Sequence, residues 1–269
     1  MTKVIASFSR NYVSLKWNLS TLQIEAGFLD DTPIICIAKT ANAGKKDSLV
    51  LAHDLFDYPR PNIHPSILRL RETLWSSILP QLTQTPGFQF FDFIYCSDAD
   101  STIHRGALAL LADTLLADSR AIAACGFVYV EHESGREWSF WNLYQQFQYS
   151  FGQIVRRGAE SYFGKVTCLP GCNTMIRVRP EMAGAMQKYA APVTSLPVLK
   201  HQVQLLGTDR RLTYCLLSQD SKLRTLFVPA AGSETIAPQS LKHYLSQRRR
   251  WGSNAYFNNY FYFAGKKST

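Results

Sequence analysis

A run dense in aromatic and β-branched residues, positions 88–96, ends two residues before Asp98-Ala99-Asp100. Such a run reads as a buried central strand. In an open α/β sheet, ligands gather beyond the carboxyl ends of the strands. The chain must therefore fold so that a strand delivers two carboxylates to the place where such a sheet binds. In extended backbone, residues two apart point the same way, so Asp98 and Asp100 stand side by side.

The rest of the chain supplies elements for that sheet. Short apolar runs at 33–38, 122–129, 166–169, 174–178 and 226–229 read as strands. Helical periodicity marks 47–56, 66–82, 104–118, 138–155, 210–217 and 240–251. The segment 58–65 carries three prolines and reads as a loop. Residues 1–33 give no clear assignment. Strands alternating with helices imply an α/β class with a mainly parallel central sheet.

Composition narrows the function classes. The chain has 269 residues, 46% hydrophobic and 18% charged, which suits a globular fold and excludes a disordered one. Its formal net charge is +9, and residues 201–269 hold ten Lys or Arg against three Asp or Glu. A basic third of this kind suits phosphate-bearing ligands, an anionic membrane surface or nucleic acid. No nucleic-acid recognition motif accompanies it, so no nucleic-acid partner is expected. The six cysteines are scattered and complete no zinc-ligand pattern; reduced thiols are expected, on a cytosol-facing region. No signal-peptide layout opens the chain, and no apolar run reaches the roughly 18 residues of a membrane span. His53, His64, His104 and His243 form no metal spacing and read as ordinary residues.

Three acidic and basic signals then follow in order: Asp98-Ala99-Asp100, Gly207-Thr208-Asp209-Arg210 and Gln247-Arg248-Arg249-Arg250-Trp251. Carboxylates at 98 and 100 suit Mg²⁺ or Mn²⁺, hard cations that bridge phosphates. Taken alone, the pair is better explained as a loop or as a cap on the helix that begins at His104. Asp209 follows a glycine at a helix start, where a carboxylate can serve as a general base or simply as an N-cap. On the last helix, Gln247, Arg250 and Trp251 share one face, while Arg248 and Arg249 are expected to point elsewhere as a solvated basic face. Arginine offers paired donors to phosphate and tryptophan an apolar ring to a sugar. The aromatic stripe from Trp138 to Phe151 reads as core or as a helix resting on a membrane.

These motifs, with Asn42-Ala43-Gly44-Lys45-Lys46-Asp47-Ser48 and Cys168-Leu169-Pro170-Gly171-Cys172, resemble the processive inverting glycosyltransferases, and among them the fungal-type chitin synthases. The resemblance runs from about position 34 to Trp251, with one departure: Thr208 stands where many relatives carry Glu. It implies a GT-A-like fold, truncated at its N-terminal edge, and a catalytic region over residues 1–251. It implies transfer of N-acetylglucosamine from UDP-N-acetylglucosamine to a growing β-1,4-linked chitin chain. Asp209 would be the catalytic base. Gly44, Lys45, Lys46, Asp98, Asp100 and Arg250 would bind the donor, with Mg²⁺ or Mn²⁺ at Asp100. Pro170, Gly171, Cys172, Gln247 and Trp251 would bind the acceptor. Residues 252–269 would be an interfacial segment leading toward membrane helices absent from this chain, on a plasma-membrane or vesicle-bound enzyme. Related hyaluronan or cellulose synthases, or an inactive synthase fragment, are the alternatives.

Overall fold

The structure is a computed structural model, and it describes residues 13–15, 22–39, 44–85, 87–131, 138–192, 207–238 and 240–263. The chain divides into two compact units, Met1–Phe91 and Asp92–Thr269.

In the first unit, β1 (Val13–Leu15), β2 (Leu22–Leu29) and β3 (Thr32–Lys39) form an antiparallel meander. The β2–β3 turn places Asp30 at φ 44° and Asp31 at φ 64°. Positive φ at both central positions gives the turn twist that suits a hairpin, and Asp is among the few side chains that tolerate it. Helix α1 (Lys45–Phe56) follows. Then α2 (Pro65–Thr73) runs through a π-helical segment (Leu74–Ile78) into α3 (Leu79–Leu82). The π segment directly precedes Pro80, whose ring and missing N–H interrupt the regular ladder. Leu70, Leu74, Ile78 and Leu82, spaced one turn apart, bury against Leu55 and the inward residues Ile24 and Ala26 of β2.

The aromatic run at 88–96 is strand only from Phe93 onward. Its first half is claimed by the first unit: Phe88 stacks on Trp75 at 5.8 Å, and Phe91 meets the same indole edge-on at 5.8 Å.

The second unit contains, in order, β4 (Phe93–Cys96), β5 (Ser101–Ile103), α4 (Ala107–Ala117), β6 (Ala121–Glu131) and α5 (Phe140–Phe151). A second π segment (Gly152–Arg157) leads into α6 (Gly158–Tyr162). Then come β7 (Thr174–Arg177), α7 (Glu181–Tyr189), α8 (Thr208–Leu217), β8 (Arg224–Ile236) and α9 (Leu241–Phe263). The sheet order is β4-β7-β6-β8-β5. The α/β class is as the sequence implies, but the sheet is mixed rather than mainly parallel. Among the described strands, β6 and β8 are the one parallel pair; the β4–β7, β7–β6 and β8–β5 pairs are antiparallel. Apolar runs announce strands without announcing direction, and the four residues between β4 and β5 leave no room for a helical crossover. Nor do residues 166–169 form a strand. The Thr167 N–H and hydroxyl both donate to the Glu160 carboxylate, and the Leu169 N–H donates to the Thr213 hydroxyl.

Helix α4 covers the sheet with Ala107, Leu111 and Leu115 against Ala121, Ala124, Met175 and Ala231. The parallel β6–β8 pair is broken by a bulge: Gly126 pairs with Val228, but Phe127 pairs with Gly232. Gly126 is required there, since a Cβ would lie 1.8 Å from the Ala231 carbonyl oxygen. Buried Asn173 bridges the opening, its amide donating to the Phe127 and Ala231 carbonyls and its carbonyl accepting from the Tyr95 hydroxyl. Beyond the bulge the strands are re-aimed, and that end of the sheet carries the candidate site.

Candidate functional site

Asp98 and Asp100 lie in the turn between β4 and β5, past the carboxyl end of β4, with Asp98 half-buried and Asp100 exposed. The Ser101 N–H closes the turn on the Asp98 carbonyl at 3.1 Å. Ser101 enters β5 rather than a helix, so these residues do not cap α4, whose N-terminus is Gly106.

Asp209 sits in the first turn of α8. Its Oδ2 accepts from the backbone N–H of Gly171 at 3.1 Å, and its Oδ1 accepts from the Thr208 hydroxyl at 3.2 Å. Two motifs 38 residues apart are thereby joined. Pro170, Gly171 and Cys172 form the loop before β7, and Gly171 presents its amide to the carboxylate. Tyr189, buried at the end of α7, also neighbours Asp209. Its hydroxyl is pushed up in pKa by burial and then by the neighbouring Asp209 charge. The sequence did not reveal that Tyr189 borders the candidate site; a lone Tyr in a helical run gives no signal.

Helix α9 brings the last motif to the same place. Gly207, the residue before α8, has no room for a side chain: a Cβ would lie 2.2 Å from Asn254 Oδ1 and 2.7 Å from Asn258 Nδ2. Asn254 and Asn258 are buried one turn apart and bonded to each other. Asn259 accepts from Arg210 at 3.3 Å and from the Tyr214 hydroxyl. An asparagine ladder thus docks α9 across the start of α8, two residues from Asp209. These asparagines lie in 252–269, where only an interfacial segment was expected; α9 runs through Trp251 without a break.

Within the motif, the structure changes one assignment. Arg248 does not point away with Arg249. It shares a face with Tyr244 and Trp251, four and three residues away, and its guanidinium lies 5.0 and 4.9 Å from their ring centres. Its Nε and Nη2 are buried and, among the described residues, make no hydrogen bond. Arg249 is exposed. Arg250 is in the helix, and its side chain lies outside the described residues. Trp251 is 42% exposed, with its ring 6.0 Å from that of Tyr149. Burial pushes the Tyr149 hydroxyl up, with the nearby Gln247 side chain and then the Arg248 charge drawing it the other way. Gln247, Trp251 and Tyr149 therefore form one surface.

Gly44, Lys45 and Lys46 belong to the first unit. Gly44 has φ 93°, a conformation that favours glycine, and both lysines lie in the first turn of α1, which begins two residues before the helical periodicity at 47. Asn42 and Ala43 of that motif lie outside the described residues.

Two helices of the second unit are amphipathic in the reverse sense. On α5 and the π segment after it, Asn142, Gln145 and Gln153 are buried, while Phe140, Leu143, Phe147, Phe151 and Ile154 are exposed. Gln153 is bonded to both the N–H and the carbonyl of Val128 on β6, at 2.7 and 2.8 Å. On α9, Asn254 and Asn258 point in while Tyr256 and Tyr260 are exposed. The aromatic stripe of α5 is therefore not core.

The family model described as "Chitin synthase" matches residues 32–262. The chain is 31% identical over 232 residues to chitin synthase csmA of Aspergillus niger, covering 82% of this chain and 14% of that protein. It is 31% identical over 230 residues to chitin synthase V of Metarhizium acridum and 30% identical over 230 residues to chitin synthase 6 of Pyricularia oryzae. Each match covers 82% of this chain and 12% of the relative. The chain thus spans about an eighth of the length of the curated relatives it matches.

Proposed function

Because the chain belongs to the chitin synthase family, for which a GT-A-like fold is implied, we propose that it is a UDP-sugar-dependent transferase region. In this reading it moves N-acetylglucosamine from UDP-N-acetylglucosamine to a β-1,4-linked chain, with inversion. The observation that supports this best is the 3.1 Å bond from the Gly171 N–H to Asp209. It joins the loop assigned to the acceptor with the carboxylate assigned to the proton.

Asp209 takes the proton of the acceptor hydroxyl as that oxygen attacks the anomeric carbon. Gly171 and Thr208 each hold one carboxylate oxygen, which fixes the direction in which the base faces. Pro170, Cys172, Gln247 and Trp251 shape the acceptor surface, and the Trp251 ring takes the apolar face of a sugar. Arg250 and the Gly44, Lys45 and Lys46 motif are assigned to the donor.

Asp98 and Asp100 fit a divalent cation of a particular kind. Among the described residues, no group of three or more His, Cys, Asp or Glu can hold a metal. One exposed and one half-buried carboxylate at a turn suit Mg²⁺ or Mn²⁺, which takes one or two carboxylates and completes its shell with phosphate oxygens and water. When bound, the ion at Asp100 supplies positive charge to the departing diphosphate.

Among the described residues, no helix is long and apolar enough to cross a membrane. The reversed helices α5 and α9 nevertheless support a membrane-associated enzyme with this region on the cytosolic side. On the α5 side the buried Gln153 faces the sheet, on α9 the buried amides face the start of α8, and aromatic rings of both helices face outward, the pattern of a surface that rests at a lipid interface.

Replacing Asp209 with Asn tests the reading. The amide is near-isosteric but cannot take the proton, so transfer of labelled N-acetylglucosamine to chitotriose should fall at least a hundredfold, with UDP binding retained. Transfer by the Asp209→Asn protein at the parent rate removes Asp209 from the mechanism.

A further inference from the structure

A cavity of about 390 Å³ opens beside Tyr149, between α5 and the part of the sheet beyond the β6–β8 bulge. It lies within the size range of small-molecule sites, roughly 300–1,000 Å³. We propose that it is a sugar subsite, holding a neutral pyranose ring that adjoins the one stacked at Trp251. The proposal rests on the transferase reading above.

The lining chemistry selects the ligand class. Among the described residues no Lys or Arg lines the cavity, and Glu234 does, so a phosphate or any other anion would meet a carboxylate of like charge. A divalent cation is equally unsuited, because a single carboxylate is far short of the six or more oxygen ligands that such ions take. What remains is a neutral ligand rich in hydroxyl groups. Glu234 accepts at one oxygen from His104 Nε2, 3.0 Å away. Among the described residues its other oxygen makes no hydrogen bond, and a carboxylate oxygen is a strong acceptor for a ligand hydroxyl. Gln146 adds an amide and Ser150 a hydroxyl to the lining. Phe127, Tyr129 and Tyr149 supply aromatic walls, which suit the C–H faces of a sugar.

The walls are fixed in place rather than free to collapse. Tyr129 stacks on the His104 ring at 5.3 Å, 16° from parallel. His104 in turn is held by Glu234 and by its own backbone N–H donating to the Gly232 carbonyl at 3.0 Å. On the α5 side, Gln153 locks the helix to Val128 through two bonds. The cavity also shares a wall with the acceptor surface: Tyr149 lines it and lies 6.0 Å from Trp251. Tyr149 is thus common to the cavity and to the Trp251 surface, as adjoining sugar positions require.

Calorimetry on the whole chain tests this, with chitotriose, with N-acetylglucosamine alone, and with UDP plus Mn²⁺. Two variants are compared with the parent, Glu234→Gln and Gln146→Leu. Both sit in the lining, and neither has been placed in the donor site. Chitotriose binding should weaken about tenfold in each, the loss of roughly one hydrogen bond to a charged or polar partner, while UDP–Mn²⁺ binding stays unchanged. Chitotriose bound more tightly than the monosaccharide supports an occupant from the growing chain. Equal affinity for the two, still lost in the variants, supports a free sugar as the occupant. Intact UDP–Mn²⁺ binding with sugar affinity untouched in both variants overturns the subsite alone. Absence of UDP–Mn²⁺ binding in the parent overturns the transferase reading beneath it.

Discussion

Gly126→Ala should be among the most damaging single-methyl changes in the second unit. The new Cβ would lie 1.8 Å from the Ala231 carbonyl oxygen and 2.5 Å from Asn173 Nδ2. The first is a main-chain atom in a buried strand and cannot swing aside. Forcing it away costs about 1–3 kcal/mol for overpacking. Displacing the Asn173 amide also strands the Phe127 and Ala231 carbonyls that it bonds at 3.3 and 3.0 Å, at about 1–3 kcal/mol for each buried group left unsatisfied. A total of about 4 kcal/mol corresponds to a fall in Tm of roughly 8–16 °C for a unit of this size. Gly152→Ala is the matched control. It adds the same methyl group in a helical segment where nothing lies within 4 Å, and should raise stability by roughly 0.5–1 kcal/mol. Thermal unfolding followed by circular dichroism reads both. Equal Tm values for the Gly126→Ala and Gly152→Ala proteins would refute the claim that the bulge is built on a close approach at Gly126.

If the outward rings of α5 rest on lipid, replacing Phe147 and Phe151 with Ser removes two exposed side chains from that surface. At about 1.5 kcal/mol for each buried ring, binding to phosphatidylserine-containing vesicles should fall about a hundredfold in a sedimentation assay; unchanged sedimentation would count against the lipid-facing reading. Thiol chemistry provides an independent check on burial. The Cys125 thiol is pushed up to about 12 by burial and Cys36 is exposed. At pH 8, Cys36 should therefore react quickly with a disulfide reagent, while Cys125 reacts only on unfolding, its thiolate being scarce below pH 12; rapid labelling of Cys125 in the native protein would contradict the packing of β6.

Much of the site was legible because its residues fall in short local motifs. Asp98 and Asp100 are announced by the apolar strand before them, and Asp209 by the glycine before a helix. The parts that the sequence hid depend on distant pairings. Nothing local to Gly171 shows that its N–H will meet a carboxylate 38 residues later. Asn254, Asn258 and Asn259 look like polar interruptions of an aromatic tail, yet they dock α9 beside Asp209. Helical spacing placed Gln247 correctly near Trp251 but took Arg248 for a solvated residue. Its stem and guanidinium are drawn onto the Tyr244 and Trp251 rings, a partnership at i−4 and i+3 that a charge pattern alone conceals. The mixed sheet was hidden for a related reason: a buried strand has the same composition in either direction.

In the proposed reaction a cation at the Asp98–Asp100 turn would hold the donor diphosphate. Calorimetric titration of UDP with and without Mn²⁺, on the parent chain and on the Asp100→Ala protein, tests that most directly. The account predicts UDP binding that depends on Mn²⁺ in the parent, and loss of that dependence in Asp100→Ala, since removing the ligand leaves the diphosphate charge uncompensated. Metal-dependent affinity that survives unchanged in Asp100→Ala, or UDP binding indifferent to Mn²⁺ in the parent, would contradict it.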